Sequence, residues 1–120
     1  MAFRSLLALL VIFLANPVPV SADAARALLL TSPGVYHNYE YQSRLIAGML
    51  ANNADTAVDV SLAELDRWRQ TDFSSDYDLL IYNICMADNT DLALIDNLRR
   101  QTETLGVPAL VLHCTMHSFR

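Results

Sequence analysis

The sequence predicts a doubly wound α/β fold around a parallel sheet, truncated at its carboxyl end, on three observations. Apolar runs without polar alternation recur at Ala27 to Thr31, Leu79 to Ile84 and Ala109 to His113, the pattern of strands covered on both faces. Helical stretches separate the strands in strict alternation, which implies right-handed crossovers and a parallel sheet. One further strand, Thr56 to Leu62, alternates instead, with Val58, Val60 and Leu62 on one side and Asp59 and Ser61 on the other. A half-polar strand suits a sheet edge, so the expected order is 2-1-3-4.

Each element follows from local chemistry. Ser32-Pro33-Gly34 ends the first run in a turn, because Pro and Gly cannot extend the strand. Tyr41, Leu45, Ile46, Met49 and Leu50 then fall on one face of a helix that Asn38 caps and Asn52-Asn53 end. After the edge strand, Ala63 to Gln70 forms a short helix carrying Leu65 and Trp68, and Ser74-Ser75-Asp76 turns the chain into strand three. Thr90 or Asn89 caps the next helix, with Asp91 in its first turn, Leu92, Ile95, Leu98 and Leu105 inward, and Gly106 just past its end. Pro108 prevents continuation and strand four begins there.

Composition bounds the rest. The chain has 120 residues, 53% of them hydrophobic and 18% charged, which fits one globular domain and excludes a disordered chain. Part of the apolar content lies in residues 1–24, laid out as a secretory signal. Arg4 gives the positive start, Leu6 to Ala15 the apolar run, and Ala22-Asp23-Ala24 a small-x-small cleavage site. The run is too short for a stable bilayer span, so the expectation is an exported chain, periplasmic or secreted, with no membrane span after cleavage. Beyond residue 24 there are seven Arg, twelve Asp plus Glu and no Lys. An acidic chain without a basic cluster argues against nucleic acid as a partner.

Chemistry-bearing residues gather after three strands. The loops at the carboxyl ends of strands one, three and four carry Tyr36, His37 and Asn38, then Asn83 and Cys85, then His113, Cys114 and His117. In open α/β sheets ligands bind at that end. His37 and His113 are therefore expected in one cleft as acid/base or polarising groups, with Tyr36, Asn38, Asn83, His117 and Arg120 as substrate-binding candidates. His113 and His117, four apart, can also share a metal, but no carboxylate or cysteine is clearly placed to complete a set with His37. No metal ligand is assigned, and no cofactor is specified. Cys85 and Cys114 suit small buried hydrophobes.

Gly34-Val35-Tyr36-His37-Asn38, Asp76-Tyr77-Asp78 and Leu112-His113 with His117-Ser118-Phe119-Arg120 together resemble the ThuA-like (trehalose utilisation) domain family, whose flavodoxin-like fold is related to the class I glutamine amidotransferases. The resemblance covers residues 25–120 as the amino-terminal half of such a domain. The amidotransferase nucleophile position aligns with His113, and Cys114 is one residue late, so the resemblance implies a protein of sugar metabolism that binds or acts on a carbohydrate, trehalose or a keto-glycoside, without glutamine hydrolysis. A noncatalytic sugar-binding or interaction domain and a metal-dependent hydrolase are the alternatives. As half a domain, the chain is expected to leave strand four unpaired on its outer edge and bare on one face.

Overall fold

The computed structural model describes residues 24–33 and 37–119; residues 1–23 of the proposed signal, Tyr36 and Arg120 lie outside them. Its architecture is α/β. Strands β1 (Ala25–Thr31), β2 (Thr56–Leu62), β3 (Leu79–Asn83) and β4 (Ala109–Val111) form one all-parallel sheet in the order β2-β1-β3-β4. Helices α1 (Tyr39–Ala54), α2 (Leu65–Trp68) and α3 (Leu92–Glu103) make the crossovers. The chain then enters a 3-10 turn, His113–His117. Among the described residues no helix is long and apolar enough to cross a membrane.

The unalternating runs of β1 and β3 are buried on both faces, as their pattern requires, whereas the third run, expected to be covered likewise, is exposed because β4 sits at the sheet edge. Leu28, Leu30, Leu80 and Tyr82 point into one cluster with Trp68, Phe73, Ile84, Leu94 and Leu98. Ala27, Leu29 and Ile81 point the other way, against Ile46 and Leu50 of α1. Leu28, Leu29, Leu30, Leu80 and Ile81 are fully buried, each contributing about 1.5–3 kcal/mol by leaving water.

Helix α1 is capped by Asn38, whose Oδ1 accepts from Tyr41 N at 3.0 Å, and it ends at Asp55 in the left-handed conformation. Its inner face differs from the apolar count. Tyr39 and Ser43 are the buried positions, with Ile46 and Leu50 partly covered, whereas Tyr41 (56% exposed), Leu45 and Met49 face outward. The helix settles on the small Ser43 hydroxyl, which lets it approach β2 and β1, so Tyr41 does not pack in the core.

Helix α3 differs similarly. Asp91, rather than Thr90 or Asn89, is its cap, accepting from Leu94 N at 3.1 Å. The buried face is Leu94, Asn97, Leu98 and Gln101, while Leu92 and Leu105 are exposed. Polar side chains occupy an inner face here because backbone carbonyls await them. Asn97 Nδ2 donates to Trp68 O (2.6 Å) and Gln70 O (2.8 Å), and Ser74 Oγ donates to Gln101 Oε1 (2.7 Å). These bonds fasten the loop after α2 to α3. Leu105 N donates to Arg100 O, and Gly106 carries the chain away at φ +74°, a conformation that costs a residue with a Cβ.

The edge position of β2 agrees with its alternation, and Val58 packs against the core while Asp59 is exposed, but Ser61 on the polar side is buried. Ser61 is fully buried, donating to Glu64 Oε2 (2.6 Å) and accepting from Trp68 Nε1 (2.7 Å), whereas Val60 and Leu62 are about half exposed. At the other edge Ala109, Leu110 and Val111 are all exposed. Ala109 and Val111 flank an apolar groove of about 250 Å³ beside Ile95 and Leu98, and Leu110 lies on the opposite face.

Asn97→Ala removes the donor to two loop carbonyls, and leaving buried acceptors unsatisfied costs about 1–3 kcal/mol. Urea unfolding of the variant is expected to show that loss as a lowered midpoint at unchanged slope.

Candidate functional site

Reversal of the winding direction places a crevice at the carboxyl ends of β1 and β3. From β1 the chain crosses to β2 on one side, then returns to pair β3 on the other, the point at which such sheets hold ligands. A cleft of about 430 Å³ opens there, lined by His37, Gln42, Leu45, Ile46, Asn83, Leu112, His113 and Cys114.

Parallel pairing sets this constellation. Thr31 pairs with Asn83, and Tyr82 with Val111, so β1, β3 and β4 end at similar heights and deliver His37, Asn83 and His113 to one place. Asn83 is 4% exposed and donates through Nδ2 to Gln42 Oε1 at 3.3 Å. The two histidines are exposed at the rim. Leu45, Ile46 and Leu112 give the cleft an apolar wall facing two amide side chains. Its chemistry is amphipathic: an apolar surface, amides that donate and accept, and two imidazoles that can donate or accept a hydrogen bond.

The remaining candidates stand elsewhere. Asn38 spends its carbonyl oxygen on the α1 cap. His117 meets His113 edge to face, ring centroids 5.3 Å apart, without lining the cleft. Tyr36 and Arg120 lie outside the described residues. Among the described residues no group of three or more His, Cys, Asp or Glu side chains is placed to hold a metal ion, so His37, His113 and His117 do not form a ligand set.

Gln42 escaped the sequence reading because it belongs to a helix face rather than a loop. Gln42 follows Asn38 by one turn, and a polar residue on the helix side facing a strand end was the available signal. Tyr39 is 2% exposed; its ring meets His37 edge to face at 5.7 Å. Its hydroxyl has no well-formed hydrogen bond. The groups that address it are the Cys114 and Cys85 thiols, and sulfur is a weak acceptor. Burial, then the thiol contacts, pushes the Tyr39 pKa well above the usual tyrosine value.

The chain matches no protein-family model, no curated protein and no solved structure.

Buried tyrosines give an alkaline signature. Burial pushes Tyr82 up to about 12, and Tyr39 is raised as well, while an unfolded tyrosine ionises near pH ~10. The unfolded chain therefore loses these protons first, and stability present below pH ~10 declines as pH rises towards the folded-state values. Urea midpoints measured across this range are expected to fall, and Tyr39→Phe to flatten the fall without lowering stability at neutral pH, since it deletes an unsatisfied hydroxyl.

Proposed function

We propose that the cleft at the ends of β1, β3 and β4 holds a carbohydrate, with His37 and His113 as its proton-exchanging or polarising groups. The observation that carries this reading is the pairing of an apolar wall, Leu45, Ile46 and Leu112, with the amides of Gln42 and Asn83 and two imidazoles. A sugar ring presents the matching surfaces: C–H faces for the wall, and hydroxyls that donate and accept for the amides. The resemblance to the ThuA-like family supports the same class of ligand, trehalose or a keto-glycoside, met by an exported protein. In this reading one histidine takes a proton from a sugar hydroxyl while the other delivers one to a neighbouring oxygen.

Calorimetric titration with trehalose and with a keto-glycoside, paired with product analysis, tests it. Binding of one sugar is expected, weakened about fivefold by Asn83→Leu, the ~1 kcal/mol worth of a neutral hydrogen bond. His37→Gln with His113→Gln is expected to abolish turnover while much of the binding survives. Binding without turnover by the unaltered chain, undiminished in the double variant, would favour a noncatalytic sugar-binding domain. Absence of binding to either sugar would overturn the proposal.

A further inference from the structure

Cys85 lies two residues past the end of β3, and Cys114 lies in the 3-10 turn that follows the neighbouring strand β4. The β3 to β4 ladder pairs Tyr82 with Val111, and each cysteine follows its member of that pair by three residues. Beyond the ladder the two segments stay tied. Ile84 N donates to Thr115 Oγ1 (3.2 Å), Met86 N to Ser118 Oγ (2.9 Å) and Phe119 N to Met86 O (2.9 Å). Both neighbours of Cys85 are thus held against the segment that carries Cys114.

A second observation marks the same spot. The Tyr39 hydroxyl, on a residue 2% exposed, is directed at both sulfurs and lacks a well-formed hydrogen bond. Elsewhere in the core, Asn97 and Gln101 find several partners each. A buried hydroxyl left to two weak acceptors carries a cost that calls for an explanation.

We propose that Cys85 and Cys114 form a dithiol that closes to an intramolecular disulfide by exchange with a small-molecule disulfide such as oxidised glutathione. Cys114 lines the open cleft and is where the reagent enters. Its thiolate attacks one glutathione sulfur, forming a mixed disulfide and releasing one glutathione. The Cys85 thiolate then attacks the Cys114 sulfur, the mixed disulfide breaks, and the second glutathione leaves. Two protein thiols are oxidised to one disulfide, the reagent disulfide is reduced to two thiols, and the two cysteine protons end on the released glutathiones. The bridge would tie the cleft wall at Cys114 to the loop after β3, making the rim of the cleft responsive to the thiol balance around the protein.

The test is intact-mass and peptide analysis of the reduced chain after native incubation with oxidised glutathione, acid quench and alkylation. Expected are a mass lower by two hydrogens, a peptide joining Cys85 to Cys114, and closure at least about tenfold faster than in the urea-unfolded chain, where a long loop must first be closed. Cys85→Ser is expected to stop at a stable glutathione adduct on Cys114, and Cys85→Ala repeats the trap if serine disturbs the fold. A native chain carrying two glutathiones and no bridge would overturn the proposal, as would thiols that react only after unfolding.

Discussion

Burial of β1 and β3 on both faces is the constraint on which everything else in this chain depends. Strands that carry Leu28, Leu29, Leu30, Leu80 and Ile81 with no exposed surface need a layer above and a layer below, and only crossover connections supply both. The parallel direction, the central place of β1 and β3, and the exile of the half-polar β2 to an edge follow from that demand. So does the position of the cleft, because two central strands whose crossovers leave in opposite directions open a crevice at their carboxyl ends.

The chemistry of the cleft is inherited from strand register. Thr31 opposite Asn83 and Tyr82 opposite Val111 put residues far apart in sequence at one height, so His37, Asn83 and His113 converge without a dedicated scaffold. The bonds that tie the segment after β3 to the 3-10 turn after β4 bring Cys85 and Cys114 to the same buried Tyr39 hydroxyl. Site and thiol pair are two consequences of one alignment, and a slip of one residue in β4 would undo both by turning its side chains to the other face.

β1 and β3 were legible because a doubly buried strand reads as an unbroken apolar run, though β4 carries the same run and lies exposed at the edge, and the loops after them were read as a site because that end of a parallel sheet is where ligands sit. Helix faces were less so. Counting apolar residues turned α1 outward by including Tyr41, Leu45 and Met49, and turned α3 by including Leu92 and Leu105, since the true inner faces carry Ser43, Asn97 and Gln101. Polar residues there answer to carbonyls of the loop after α2 or to close approach of a strand, information that periodicity does not contain. Ser61 misled for the same reason: its burial depends on Glu64 and Trp68, which the alternation of β2 cannot report. Gln42, on a helix rather than in a loop, was not named for the cleft, whereas Asn38 was read as the α1 cap and its oxygen is engaged there.

The convergence of His37 and His113 on one apolar wall is the claim that tests this account most directly, and it can be measured without any ligand. In a labelled chain with the histidine rings assigned by substitution, nuclear Overhauser contacts are expected from both imidazoles to methyl groups of the shared wall, Leu45, Ile46 and Leu112. A His37 ring that contacts only the β2 side of α1, with His113 seeing the wall alone, would contradict the strand alignment that brings the two together.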